Sequence, residues 1–276
     1  MIIAILIGIL ATIAVFIFQY KQTSSASSLY LQFDATTEDD IPSVLAQRKV
    51  TMMTGITAPR IWTMKSIAES DTAGGASLAI QDQHKNGAMF RITARNYLRS
   101  LRAGGASNTT IYNSSEIATS LGIEQIIDEK TKDYRGLWLY NIVPDLYIVG
   151  IEVPFYPLQR VSAEWAVIIP TDGSVCVTFC HSENSRFLQA MNLNKIMLWD
   201  PNAANEFPLL SEVHHEGAIV RPGYMMFIPA HWYFTVSAYE EPHPPTDEDE
   251  EPTISLGIIG FLHSPISKLA TATIRT

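Results

Sequence analysis

The sequence predicts a mixed α+β chain that is mainly β. It places a single N-terminal transmembrane helix first, then a helix-and-loop region, then a C-terminal β-domain of the jelly-roll kind. Three observations lead there: an apolar run at the start, helical punctuation as far as about Glu129, and a series of short β-rich runs from Leu146 onward. The expected division is 1–20 transmembrane anchor, 21–30 polar tether, 31–145 mixed α/β part, and 146–276 β-domain with an acidic insertion at 239–252.

Met1 to Phe18 hold sixteen hydrophobic residues of eighteen, interrupted only by Gly8 and Thr12. At about 1.5 Å per residue such a helix rises roughly 27 Å, close to the ~30 Å hydrocarbon thickness of a bilayer. Tyr20 and Lys21 follow where interfacial anchors belong. A cleaved signal peptide is the alternative, because the small residues of TSSASS come next. The missing charged n-region and the length of the run favour an uncleaved anchor. Lys21, on the C-terminal side, then points to a cytosolic domain.

The whole chain of 276 residues is 47% hydrophobic and 17% charged, with a formal charge of -9. Without the apolar run the hydrophobic share falls to roughly 44%, ordinary for a globular domain. Seven acidic residues lie between Glu240 and Glu251, so the remainder is close to neutral and no nucleic-acid partner is expected. Cys176 and Cys180 are four apart in a strand-like run, about 13 Å on one face, too far for a disulfide. The sequons at Asn108 and Asn113 read as loop residues.

In the first half, ITARNYLRSLRAGG reads as a helix ended by glycines, with Arg91, Arg95, Arg99 and Arg102 near one solvated face. AGGAS occurs at Ala73–Ser77 and again at Ala103–Ser107 without the Lys-Ser/Thr of a phosphate loop. In the second half LYIVGIE, EWAVII, SVCVTFC, KIMLW, GAIVR, YMMFI, HWYFTVS and ISLGIIGFL read as strands. Pro170-Thr-Asp-Gly173 and Arg221-Pro-Gly223 read as turns between them. Short strands with such punctuation suggest a sandwich or barrel. The four-proline acidic stretch before the last run reads as a solvated insertion.

Arg221–Val236, RPGYMMFIPAHWYFTV, resembles the end of the cupin-like Jumonji-C family of double-stranded β-helix proteins. EWAVIIPTDGSVCVTFCHSE is similar to the segment that delivers that family's His-x-Asp/Glu, and Phe187–Pro201 to the stretch carrying its lysine. The resemblance implies Fe(II) and 2-oxoglutarate as cofactors. His181 and Glu183 would then be metal ligands and Lys195 the cosubstrate-binding lysine. Counting back from Lys195 by the family's spacing lands instead on Cys180 and Ser182, one residue out of phase. Phe234 stands where the distal histidine belongs, and Tyr224 replaces the aspartate of Pro-Gly-Asp. His231, three residues before Phe234, has the opposite strand parity. Phenylalanine contributes nothing to a metal, so a degenerate site without a cofactor or catalytic residues is expected.

Gly-x-Ser-x-Gly, Cys-x-x-Cys and His-Glu-x-x-His are absent. His214-His215-Glu216 reads as a polar loop before Gly217, since neighbours on a strand would point apart, and His263 reads as a strand-end residue. The function expected from the sequence is a membrane-anchored, non-catalytic cupin-like module in a protein assembly. It would be tied to the lipid bilayer through residues 1–20, as a minor shell protein of a large DNA virus would be in a virion. The alternatives are an Fe(II)/2-oxoglutarate hydroxylase acting on protein or glycan, and a pocket reused for a small ligand.

Overall fold

The computed structural model describes residues 2–21, 30–35, 41–56, 63–82, 88–103, 109–133, 140–150, 155–188, 207–239 and 254–274. Lys195, the KIMLW run, the second AGGAS copy after Ala103 and the acidic residues Glu240–Glu251 lie outside them. The fold is mixed α+β. In chain order the elements of the first half are α1 (Ile2–Lys21), β1 (Leu31–Asp34), α2 (Ile41–Ala46), β2 (Thr51–Thr54), α3 (Met64–Glu69) and α4 (Asp71–Gly75). They continue with β3 (Ser77–Asp82), β4 (Ala88–Thr93), α5 (Ala94–Arg102), β5 (Thr109–Asn113), α6 (Ser115–Ser120) and α7 (Ile123–Thr131). The second half holds β6 (Asn141–Gly150), β7 (Phe155–Arg160), β8 (Trp165–Asp172), β9 (Val175–Cys180) and α8 (Ser185–Leu188). It ends with β10 (His215–Val220), β11 (Met225–Pro229), β12 (Tyr233–Ala238), β13 (Ile254–His263) and α9 (Pro265–Ile274).

The apolar run forms α1, yet among the described residues no helix is long and apolar enough to cross a membrane. One end of α1 serves a different purpose, for Ile17 packs with Ile266 and Ala270 of α9 and with Ala230. The expected transmembrane anchor, the lipid-bilayer partner and the membrane or virion localisation are corrected on this finding.

The sheets are ordered β1-β2-β11-β8-β13-β6, β10-β9-β12-β7 and β4-β3-β5. Among the described residues no ladder joins the first sheet to the second. Each remains open, with β1 and β6 or β10 and β7 as its edges. The expected closed double-stranded β-helix or jelly roll is therefore corrected to two open sheets packed face to face. Closure requires the edge strands to find each other, and here each strand's ladder partners belong to its own sheet.

The six-stranded sheet is buried on both faces. Tyr147, Val149, Ala166, Ile168, Met226 and Ile228 point into the core shared with the four-stranded sheet. Their alternate neighbours Leu146, Ile148, Val167, Ile169, Met225 and Phe227 point into a second core with the helices. Successive side chains on a strand face opposite ways, so two apolar layers demand an unbroken apolar run. That is why IVG, WAVII and MMFI show no polar alternation. Most of the β-rich runs form strands, and FYPLQR, which holds Pro157 and is not among those runs, forms one as well. It forms β7, an edge strand, whose ladder with β12 shifts register between Phe234 and Val236 beside that proline. A proline lacks the N–H for a ladder and is tolerated at such an irregular edge.

The turn glycines do what their positions require. Gly173 and Gly223 have φ of 73° and 89°, values L-residues rarely adopt. In the helical layer Thr93 caps α5 by accepting from the Asn96 N–H, which sets the helix start after Arg91. Arg91 thus belongs to β4, and the expected four-arginine helical stripe is broken. Arg95 donates to the Ala68 and Ser70 carbonyls at 2.9 and 3.2 Å, serving acceptors left open at the end of α3. Ala94, Tyr97, Leu98 and Leu101 form the buried face of α5 at helical spacing.

Candidate functional site

The four-stranded sheet carries the site. Antiparallel pairing places Glu216 of β10 opposite Phe179 of β9, and Phe179 opposite Phe234 of β12. Ala218 and Val220 face the inter-sheet core, so Glu216, two residues earlier on the same parity, faces inward as well. One row across the sheet therefore runs Glu216, Phe179, Phe234. At its Glu216 end a cavity of about 500 Å³ opens between β10, the β9 terminus and Trp232.

Beyond β9 the chain turns through a 3-10 turn at Ser182–Asn184, capped by His181. His181 is buried, and its Nδ1 accepts the Glu183 backbone N–H at 3.3 Å. In the neutral ring this assigns the proton to Nε2. The Glu183 carboxylate, exposed at the rim, comes within 3.7 Å of the same Nδ1. The imidazole stands edge-on to Trp232 at 4.9 Å, and Trp232 lies 6.1 Å from Phe179. Asn184 ties the two walls together, its Nδ2 donating to the His181 and His214 carbonyls at 3.2 Å each. His215 Nδ1 faces the Val213 carbonyl at 3.3 Å. A carbonyl only accepts, so Nδ1 carries the hydrogen and a neutral His215 presents its lone pair at Nε2.

The structure thus brings His181 and Glu183 to the same cavity as His214, His215 and Glu216. Of the last three, read as a polar loop, His214 does precede the strand while His215 and Glu216 open β10, and together they form the opposite wall. Nothing in the sequence shows which strand pairs with β9, so this meeting was not visible from spacing. Glu216 Oε2 is buried and has no hydrogen-bond partner among the described residues. Cys180 also lines the cavity, with burial pushing its thiol up to about 12, far from the thiolate range used by a nucleophile. Among the described residues no group of three or more His, Cys, Asp or Glu is placed to hold a metal ion.

Phe234 lies away from this opening. It is fully buried, stacked on Tyr156 at 6.2 Å and tilted against Phe261 at 6.3 Å. Behind Tyr156 sits a different polar cluster. Asp145 accepts from the Tyr156 hydroxyl at 2.7 Å, from the Leu146 N–H at 2.9 Å and from the Ser114 hydroxyl. Gln159 in turn donates to the Tyr156 oxygen at 3.0 Å. Tyr224 is half-buried against the inter-sheet core. His231 occupies the tight turn before β12 with a φ of 73°, its Nδ1 3.4 Å from Arg160 Nη2. His263 ends β13 as expected, with burial, and Lys268 after it, lowering its pKa.

Compared with known proteins, the chain matches no family model and no curated protein. The resemblance to the cupin-like Jumonji-C family is corrected on that finding and on the open sheets. With it go the cupin-like structural or docking module and the iron and 2-oxoglutarate oxygenase inferred from it.

Proposed function

We propose that the protein is a non-catalytic recognition module whose cleft at the His181–Glu216 end of the sandwich binds a small polar molecule. One observation carries this reading: polar side chains from two separate segments, 181–184 and 213–216, converge on one cavity walled by Phe179 and Trp232. A concave site with an aromatic wall and a few convergent polar groups is the usual form of a small-molecule site. The walls are fixed in advance by Asn184, which holds the 3-10 turn against the segment entering β10. Preorganisation of this kind lowers the ordering cost of binding. The raised thiol of Cys180 and the engagement of His181 Nδ1 by a backbone N–H support binding over nucleophilic chemistry.

Ligand-observed NMR with a panel of small polar compounds tests the proposal on the full chain and on His214→Ala, a change at an exposed rim residue. Compounds that bind the wild type and lose affinity about tenfold or more in the variant support the cleft. Hits unaffected by His214→Ala and by Glu183→Ala, or no hits at all, would sink it.

A further inference from the structure

We infer that the cleft takes an organic cation, an alkylammonium or guanidinium group, with the Glu216 carboxylate as its anchor; the inference rests on the cleft being a binding site. The argument is an inventory of donors and acceptors. Several donors in the walls are engaged within the fold: the Asn184 amide donates to two main-chain carbonyls, and the Glu183 N–H goes to His181 Nδ1; the ring N–H groups of His181 and Trp232 belong to the same walls. His215 Nδ1 is likewise turned to the Val213 carbonyl. What faces the cavity is acceptor-rich. Glu216 lines it with its Oε2 covered and, among the described residues, without a donor, the Glu183 carboxylate stands at the rim, and neutral His215 offers Nε2.

A buried carboxylate oxygen without a donor is a costly arrangement, and a ligand that supplies an N–H removes the cost on binding. Two further features select a charged donor. Glu183 and Glu216 supply two carboxylates, while the described residues lining the cavity include no lysine or arginine. Phe179 and Trp232 supply aromatic surface, which attracts cations held near a ring face. A charge-assisted hydrogen bond from N⁺–H to carboxylate is also stronger than one from a neutral hydroxyl. An anion would meet the carboxylates of Glu183 and Glu216.

Isothermal titration calorimetry with n-butylammonium, methylguanidinium, n-butanol and butyrate tests this on the full chain. At least one cation is expected to bind ten-fold or more tightly than the alcohol and the carboxylate. Glu216→Gln is expected to abolish that preference, and Glu183→Gln to weaken it two- to five-fold. An unchanged urea midpoint in Glu216→Gln separates loss of the anchor from loss of the fold. If that variant fails to fold, competition of the bound cation by salt in the wild type replaces it, a salt-insensitive affinity counting against the carboxylate. A glycine-flanked lysine tripeptide binding more tightly than n-butylammonium supports a polypeptide side chain as the source of the cation; weaker binding supports a free amine. Cation affinity untouched by Glu216→Gln would overturn the inference. Binding of n-butanol or butyrate alone, lost in His214→Ala, would overturn the cation while keeping the cleft. Silence from these probes and from the wider panel would overturn both.

Discussion

Asp145 and Glu216 are both carboxylates set into the β-structure, and their surroundings differ in kind. Asp145 receives three donors from two strands and the residue before α6, and the Tyr156 that serves it is stacked beneath Phe234. Glu216 shares a row with Phe234 through Phe179, yet one of its oxygens is buried with no donor. Within one sheet, the β7–β12 side is closed and satisfied while the β10 side is open and wanting. A polar group whose bonds are all internal belongs to the fold. One left short inside a cleft is arranged for something that arrives later.

The comparison can be broken at either end. Phe234→Ala should show the largest effect, a loss of about 3–5 kcal/mol in urea unfolding, because it removes a fully buried ring between Tyr156 and Phe261. A loss below about 1 kcal/mol would mean that the supposed dry end tolerates a void. Asp145→Ala should cost about 2 kcal/mol, since the hydroxyls of Ser114 and Tyr156 lose their acceptor. Glu216→Ala, by contrast, should change stability by less than about 0.5 kcal/mol or raise it, as no bond is broken. Equal costs at the two carboxylates would erase the distinction.

Asp145 also carries a pH signature. Burial raises its carboxyl above the ordinary value, against the opposing hydrogen bonds from Ser114 and Tyr156. A raised folded value favours the protonated carboxyl. Its contribution is therefore full below the unfolded value of about 4 and is lost as pH rises through the raised one. The advantage of the wild type over Asp145→Asn in chemical denaturation should accordingly shrink as the pH rises above about 4. A widening gap would place the wrong sign on the burial. A smaller test concerns Tyr147, whose hydroxyl is buried without a partner above Gly257. Tyr147→Phe should raise the unfolding free energy by about 1 kcal/mol, showing that an orphan oxygen in a dry core brings no benefit.

Four strands of the six-stranded sheet, β6, β8, β11 and β13, were legible from their apolar runs while the short β1 and β2 were not, and the glycine turns were legible because Gly173 and Gly223 need positive φ. β7 was not, since Pro157 argues against a strand until the edge position and register shift are known. The start of α5 was misplaced by one turn because the arginine spacing extends back past the Thr93 cap into β4. The site was half legible. His181 and Glu183 were singled out through a family likeness that the open sheets and the comparisons do not uphold. Their actual neighbours, His214 to Glu216, lie thirty residues on and meet them through pairing of β10 with β9, which no local pattern records. Phe234, given the distal ligand position by motif, lies in the inter-sheet core by strand register.

The place of β13 bears on how the chain is made. It enters between β8 and β6 and pairs with β6 over ten residues, from Ile254 with Gly150 to His263 with Asn141. Leu256, Ile258 and Leu262 also complete the core under the helices. On the ribosome, β8 and β6 emerge about 80 and about 105 residues before this strand, a delay of roughly 4–20 seconds at ordinary elongation rates. Throughout that interval β6 and β8 each present an unpaired edge flanked by apolar side chains. A nascent chain in this state is open to mispairing, and truncations before Ile254 should aggregate rather than persist as a smaller folded protein.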